Sequence, residues 1–282
     1  VTADVEGLRA VARRHGLALI EDAAHSLGAS HGGAPHGSLG DAAYFSIDRT
    51  KVVSAHLGGA VATDDDALAE RLGRVQGAAP VPGAGLTRRI LLSFLREHAL
   101  YAPSVYWLGR PAGGLARRLG LLFAFRDELS LEVPSEYPYP CRLAAPLARL
   151  GALQLAVLGR NLAHRREIAR RLEERVGWYG AALPGPLDDQ AWLRYSFLVR
   201  DRAAFEERFR DTFDLGVWFT SPIFGRDREL ESVGYRPGSC PVAERVARHV
   251  VNFPTHPRVG ADALVRRLDR DREWALGALI EP

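Results

Sequence analysis

The stretch GSLGDAAYFSIDRTK, residues 37–51, decides the fold of this chain. Its centre, residues 42–47, is a short apolar run of the kind that forms a buried strand, and it leads directly to Lys51. A second short apolar run, residues 17–20, is typical of a buried parallel strand. A third strand is predicted at residues 58–63. Three short apolar runs so close together indicate a sheet.

Helical stretches flank these strands. One is predicted at residues 4–15, ending at a histidine–glycine helix stop, and another at 67–75. The alternation predicts an α/β fold with a mostly parallel, doubly wound sheet. Ligands in such sheets bind beyond the carboxyl ends of the strands, and Asp22, Ser46 and Lys51 fall at such ends.

Lys51 is chemically distinctive because the chain has 37 basic residues and every other one is an arginine. Arginine replaces lysine in most surface roles, but a guanidinium stays protonated and cannot condense with an aldehyde. An ε-amine can do so once its pKa is lowered by burial and neighbouring charges. Composition alone leaves two readings open, a lysine retained by chance and a lysine retained for amine chemistry.

Composition narrows the function classes. The chain has 282 residues, 47% of them hydrophobic and 25% charged, which is typical of a globular protein. A net charge of +3, with 34 acidic residues among the basic ones, argues against a nucleic-acid partner. Cys141 and Cys240 are far apart, so neither a disulfide framework nor a thiolate metal site is expected. With no secretory signal visible, we expect a cytoplasmic protein without a metal.

Several short motifs resemble the DegT/DnrJ/EryC1/StrS family of pyridoxal-phosphate (PLP)-dependent sugar aminotransferases. The resemblance covers residues 1–78 and roughly 136–275. It implies a PLP-dependent transferase of fold type I, with part of the large domain (1–78), a basic connector (79–135) and an α+β C-terminal domain (136–282). The motifs are IEDAAHSLGA (20–29), the stretch 37–51, GGAVATDD (58–65), RLAAPLARLGALQL (142–155) and CPVAERVARHVVNFPTHPRV (240–259).

The resemblance also implies roles for four residues. Lys51 would form the Schiff base with PLP and shuttle a proton during catalysis. Asp22 would pair with the protonated pyridine nitrogen, which must stay cationic for the ring to act as an electron sink. His25 would lie beside the cofactor ring, although a satisfied turn histidine is the alternative. Ser46 would donate a hydrogen bond to the cofactor phosphate.

The implied reaction moves an amino group from glutamate or glutamine to the keto group of a nucleotide-linked sugar. Such a reaction belongs to surface-glycan or secondary-metabolite sugar biosynthesis, and relatives work as homodimers. Two alternatives stay open: a degenerate member that regulates without catalysis, and a PLP-dependent sugar dehydratase. Dehydratases of the family carry histidine in place of the lysine, so Lys51 favours the transferase.

The chain departs from the family pattern in four places, one of them at residues 75–77, where it has Val-Gln-Gly and relatives have Asn-His-Gly. Relatives carry a preceding segment with a glycine–threonine helix start for the phosphate. We therefore expect an N-terminally truncated or partial chain, or one that a separate chain completes, which by itself binds PLP weakly or not at all. His56 and Leu57 stand where the family usually has an acidic or polar residue. Pro140 and Cys141 stand where it has an asparagine that contacts a neighbouring subunit.

Residues 79–135 match nothing in the family. Within them, residues 86–119 mix apolar and aromatic residues with six arginines against one acid, Glu97, as in a basic amphipathic segment. The favoured interpretation is a helical insertion packed at a dimer interface or over the active site. Contact with a membrane surface is possible but not favoured.

The C-terminal part is predicted to be α+β. Periodic leucines indicate one long helix from about residue 142 to 176, with residues 143, 147, 150 and 153 on its apolar face. Strands are predicted around 193–199 and 215–219, and helices at 202–211 and 241–251. Arg194 is interpreted as a solvated strand arginine rather than a catalytic residue.

Overall fold

The computed structural model describes residues 3–123, 139–178, 187–216, 219–223 and 230–280. The chain divides into two compact units, one formed by residues 1–162 with 189–191 and the other by 163–188 with 192–282. The division into 1–78, 79–135 and 136–282 stays a prediction. Among the described residues, no helix combines the length and apolarity that a membrane span requires.

The first unit contains a three-stranded sheet that carries the predicted site residues. Strands β1 (Ile20–Asp22), β4 (Ala42–Ser46) and β5 (Gly59–Ala62) lie in the order β1-β4-β5. Strand β1 runs parallel to β4, as predicted, whereas β5 runs antiparallel to β4. A small antiparallel hairpin, β2 (Ser30–His31) and β3 (Ala34–Pro35), lies between β1 and β4 in the chain.

The first predicted strand is displaced and less buried than expected. Residues 17–20 were expected to form it, but the ladder begins at Ile20 because the Leu19 backbone is already bonded to Asp41, with the Leu19 N–H 2.7 Å from the Asp41 carboxylate. Strand β1 is an edge strand of the described sheet, and Ile20 is 63% exposed. The expected burial on both faces is therefore wrong for the described part of the chain.

The helices of the first unit begin and end where the capping residues allow. Helix α1 (Val5–His15) begins after Asp4, whose side chain accepts the Gly7 N–H at 2.9 Å, and ends at Gly16 with φ of 63°, as the histidine–glycine stop predicts. The remaining helices are α2 (Asp66–Ala78), α3 (Ala84–Leu100), α4 (Tyr106–Arg118) and α5 (Ala145–Leu155), followed by α6 (Leu158–Val176), which continues into the second unit.

The predicted long helix over residues 142–176 is two helices. The break lies after Leu155, where the Val157 N–H bonds to the Gln154 carbonyl three residues back instead of four. The predicted leucine face also changes, because Leu147 is fully buried whereas Leu153 is 62% exposed.

The core of the first unit forms directly behind the Lys51 turn. Ile47, Val53 and Ala55 from the chain around that turn pack with Leu147 of α5 and with Ile90 of α3. All five are buried. The insertion helix α3 is thus part of this core.

The second unit is built on one antiparallel pair, β6 (Arg194–Leu198) with β7 (Val250–Pro254). The expected strand at 215–219 is wrong where the structure describes it, since residues 215, 216 and 219 lie in no strand, and 217–218 fall outside the described residues. The partner of β6 is instead the apolar run at 250–254, part of which was expected to be helical. The helices are α7 (Arg202–Phe209), α8 (Pro241–His249), α9 (Ala261–Arg270) and α10 (Arg272–Gly277).

Aromatic side chains fill the core of the second unit. Phe197 and Phe253 stack across the strand pair with ring centroids 5.6 Å apart, and Phe205 of α7 meets Phe197 edge-on at 5.6 Å. Such contacts add to the free energy gained by burying the rings. This core anchors α7 on the strand pair.

Candidate active site

Asp22 lies at the carboxyl end of β1, where it was predicted. Its register partner in the parallel pair is Tyr44, and the Tyr44 hydroxyl donates a hydrogen bond to the Asp22 carboxylate. The Ala24 N–H donates another at 3.0 Å. Desolvation raises the pKa of Asp22, but these hydrogen bonds and the positive charges of His25 and Lys51 outweigh it and lower the pKa below its usual value. Asp22 is therefore a carboxylate held in its ionised form.

Lys51 follows β4 at the end of a tight turn. The Asp48 N–H lies 3.4 Å from the Ser46 hydroxyl oxygen, and the Lys51 N–H donates to the Asp48 carbonyl at 3.1 Å. The side chain is half-buried. This burial lowers the pKa of Lys51, while the charges of Asp48 and Asp22 partly oppose the shift. A lowered pKa makes the neutral, nucleophilic amine more accessible.

His25 belongs to the same electrostatic neighbourhood. The residue is exposed to solvent. The protein around the imidazole still desolvates it and thereby lowers its pKa, and the positive charge of Lys51 lowers the pKa further. Asp22 opposes this shift. The structure thus brings Asp22, His25 and Lys51 together, while Ser46 lies at the end of β4 and takes part in the turn that leads to Lys51.

Two side-chain amides hold the segment after Lys51, and sequence reasoning did not find them. The Gln154 carbonyl oxygen accepts the Ser54 N–H at 3.0 Å, and its NH₂ group donates to the Ser54 carbonyl. The Asn161 amide donates to the Val52 carbonyl at 2.9 Å. These contacts join residues 100 and 109 positions apart in the sequence, so no local pattern could have revealed them.

Glu21 is a third residue that sequence reasoning missed. Its carboxylate accepts three backbone N–H groups, from Gly37 at 2.9 Å, Leu39 at 2.6 Å and Gly40 at 2.7 Å. Bonds from N–H groups to an ionised acceptor are stronger than neutral ones. Glu21 thus fixes the loop that leads into β4, and hence the approach to Ser46. The one feature of the sequence that could have indicated this role is the acidic pair that Glu21 forms with Asp22 at the end of β1.

Helix α3, part of the segment 79–135, contacts His56, one of the positions at which this chain differs from the family pattern. His56 is buried in a left-handed conformation with φ of 74°, and its ring meets Phe94 of α3 edge-on at 5.9 Å. Arg49 lies 4.0 Å from Glu97 of the same helix. Burial is also the main cause that raises the pKa of Glu97. Helix α3 therefore contacts one residue that precedes Lys51 in the sequence and one that follows it.

These residues fit the chemistry that PLP requires. A half-buried amine of lowered pKa suits condensation with an aldehyde, and an ionised, solvent-accessible carboxylate within its electrostatic influence suits a cationic ring nitrogen. Among the residues described, no group of three or more His, Cys, Asp or Glu side chains is arranged to hold a metal ion.

Comparison with known proteins extends this match beyond the site. The DegT/DnrJ/EryC1/StrS aminotransferase family profile matches residues 1–83 and 126–268. A dTDP-3-amino-3,4,6-trideoxy-alpha-D-glucose transaminase from Micromonospora megalomicea subsp. nigra is 29% identical over 97% of this chain and 63% of its own length. A pleiotropic regulatory protein from Geobacillus stearothermophilus is 48% identical over 91% of this chain and 58% of its own.

The solved structures show the same fold. DesV from S. venezuelae, solved in complex with a ketimine intermediate, superposes with a TM-score of 0.64 at 24% identity, covering 97% of this chain and 62% of that one. The predicted type I fold is thereby confirmed, and the chain spans about three-fifths of the length of these relatives. Because the family profile matches most of its residues, this chain belongs to the DegT/DnrJ/EryC1/StrS aminotransferase family.

Proposed function

We propose that this chain carries the Schiff-base lysine of a PLP-dependent aminotransferase that moves an amino group from glutamate or glutamine to a keto sugar nucleotide. The observation that carries the proposal is the half-buried Lys51 amine in the electrostatic neighbourhood of an ionised Asp22, beyond the carboxyl ends of two parallel strands. We further propose a cytoplasmic homodimer without a nucleic-acid partner.

Each site residue has a defined task in this reaction. When bound, PLP supplies an aldehyde for the lysine and a ring that accepts electrons. Asp22, kept ionised by Tyr44 and the Ala24 N–H, holds a proton on the pyridine nitrogen. The Lys51 amine would be the group that condenses with the aldehyde, with loss of water, and after displacement by the substrate amine it would move a proton to and from the substrate carbon. Ser46 binds the phosphate.

His25 has a positional role beside the ring in this proposal. Its lowered pKa keeps the imidazole neutral near pH 7, so that it can bind next to the ring without adding a second positive charge. The proposal of a sugar nucleotide as acceptor is supported by the Micromonospora megalomicea relative, which is named as a transaminase of a dTDP-linked sugar.

A trapping experiment tests the central claim. The chain is mixed with PLP, reduced with borohydride and digested, and the modified peptide is mapped by mass spectrometry. Because Lys51 is the only lysine, the ε-amine adduct has a single expected position, separable from the N-terminal amine. Lys51→Arg keeps the charge and removes the nucleophile, so it should abolish this adduct. Labelling of the N-terminal amine alone in the unmodified chain would refute the proposal.

The reaction type is tested by absorbance. A protonated Schiff base of PLP and the amine form of the cofactor absorb at different wavelengths, so donor turnover should move the band to shorter wavelength. Glutamate and glutamine are compared as donors, followed by a keto sugar nucleotide that should restore the first band.

A regulatory role is the second candidate, favoured by the name of the 48% identical Geobacillus stearothermophilus relative. It predicts that PLP binds at Lys51 while neither donor shifts the band. A PLP-dependent dehydratase is the third candidate, and Lys51 argues against it because the dehydratases of the family have histidine at this position.

A further inference from the structure

The insertion forms a helical pair with clearly different inner and outer faces. On α3, Ile90 and Ser93 are buried, and the Ser93 hydroxyl accepts the Phe123 N–H at 2.8 Å. On α4, Gly109 and Gly113 are buried against the end of α3, where a side chain at Gly109 would collide with the Leu100 backbone. The inner faces of both helices are thus committed to packing within the first unit.

The outer faces are apolar and exposed. Leu92 and Leu95 on α3, and Leu108 and Leu115 on α4, recur at helical spacing, so each pair lies on one side of its helix. Leu108 is 79% exposed and Leu95 60%, values far above those of core leucines. The exposed apolar residues are Leu92 and Leu95 on α3, Val105 just before α4, Trp107, Leu108 and Leu115 on α4, and Leu119 and Leu121 just after it. Contiguous exposed apolar surface of this kind marks an interaction site.

The charges on these helices have one sign at the surface. The arginines among residues 86–119 are all exposed, whereas the one acid of that stretch, Glu97, points inward with 12% of its side chain exposed. The arginines are Arg88, Arg89, Arg96, Arg110, Arg117 and Arg118. Within residues 86–119, exposed apolar side chains are therefore accompanied by exposed arginines and by no exposed acid, a combination complementary to anionic headgroups above an apolar interior.

We propose that α3 and α4 dock this protein on an anionic lipid bilayer, with the exposed leucines at the headgroup–acyl boundary and the arginines on lipid phosphates. The sequence alone favoured an insertion covered by a dimer partner or by the active site. We prefer the bilayer because the buried face of the pair carries the small and core residues, while the arginines of residues 86–119 are exposed together with the outward apolar side chains. The inference does not depend on the aminotransferase reaction.

Vesicle co-sedimentation tests the charge requirement. We expect the chain to bind vesicles that contain phosphatidylglycerol, to bind pure phosphatidylcholine weakly, and to be released by salt. The double variant Arg88→Gln with Arg118→Gln should lower the partition coefficient roughly thirtyfold, the factor that corresponds to about 2 kcal/mol for two basic residues. The matched control is Arg9→Gln with Arg149→Gln, which removes two exposed arginines elsewhere in the same unit.

The apolar requirement has its own pair of variants. Leu108→Glu should abolish binding, whereas Leu153→Glu, at a leucine that is 62% exposed on α5, should leave it unchanged. The fluorescence of Trp107 should shift to the blue on addition of anionic vesicles, and Trp107→Phe should remove that shift. Circular dichroism establishes that each variant is folded.

Three results would overturn the proposal. One is equal binding to neutral and anionic vesicles, or none to either. The second is an equal effect of the variants and their controls. The third is a Leu108→Glu variant that lowers the mass measured by light scattering while vesicle binding is unchanged, which would make this face an interface between copies of the chain.

Discussion

Tyr44 and Asp22 are register partners in the parallel pair β1–β4, and the Tyr44 phenol donates a hydrogen bond to the Asp22 carboxylate. The pairing comes from the sheet, because residues that are neighbours in adjacent strands point to the same face. It raises the pKa of Tyr44 and contributes to the lowered pKa of Asp22. A strand residue thus tunes the carboxylate proposed to hold the ring nitrogen.

Tyr44→Phe should raise the pKa of Asp22, because the ionised carboxylate loses a hydrogen bond that the protonated form does not need. The lowered pKa stabilises the fold above the pKa of the unfolded chain, and this contribution is lost as pH falls through the folded pKa. The variant should therefore be less stable than the parent at neutral pH, and this difference should disappear as pH falls below the folded pKa of Asp22. Carbon-13 NMR titration of the Asp22 carboxyl measures the shift, with Tyr139→Phe, at a tyrosine that is 86% exposed, as control. An unchanged titration would contradict the assigned hydrogen bond.

The sequence predicted the elements that depend on local patterns. Helix α1 follows from a capping aspartate and a terminal glycine, and β4 from five residues of strand-forming pattern that lead to Lys51. The electrostatic grouping of Asp22 with Lys51 followed because the ends of parallel strands share one edge of a sheet. These features rest on spacing and on the chemistry of single residues, which a sequence displays.

Glu21→Gln should destabilise the first unit by about 2 kcal/mol, since a neutral amide oxygen cannot replace a carboxylate that accepts three N–H groups. The loop at 37–40 should loosen, and its amide hydrogens should exchange faster. Urea unfolding gives the stability change, and hydrogen exchange localises it. Glu6→Gln removes an exposed glutamate from α1 and serves as control. Equal midpoints for the two variants would show that Glu21 is not a loop anchor.

His56→Asn should flatten the loss of stability at acid pH. Burial lowers the pKa of His56 to about 4; the charge of Arg49 contributes in the same direction, and the charge of Asp48 partly opposes the shift. A histidine with a lowered pKa binds fewer protons in the folded state, so its contribution is complete above about pH 6.5 and is lost as pH falls towards 4, by about 3 kcal/mol in all.

Asparagine is the suitable replacement because it tolerates the left-handed backbone at this position. Urea unfolding of both proteins at several values of pH between 4 and 7 measures the difference, in which other titrating groups cancel. Parallel stability curves would show that His56 is not protonated on unfolding in this range.

The remaining features could not be read from sequence because they depend on contacts between distant segments. A second strand of this unit was expected at 215–219, yet the strand that pairs with β6 is 250–254, and only the tertiary arrangement decides between two short apolar runs. The contact of Gln154 with Ser54 is of the same kind, joining residues a hundred positions apart.

Gln154→Glu should slow the formation of the Lys51 adduct with PLP several-fold while leaving the fold intact. The carboxylate can still accept the Ser54 N–H, but it cannot donate to the Ser54 carbonyl, which then faces a negative charge in a half-buried place. Leaving such a carbonyl without its donor costs about 2 kcal/mol, enough to loosen the segment that follows Lys51. The borohydride-trapped adduct, followed over time, measures the effect, and Gln76→Glu, at an exposed position on α2, is the matched control. If Gln154→Glu labels as fast as the parent chain, the lysine is positioned by its own turn from Ser46 to Asp48, and the amide clamp serves stability alone.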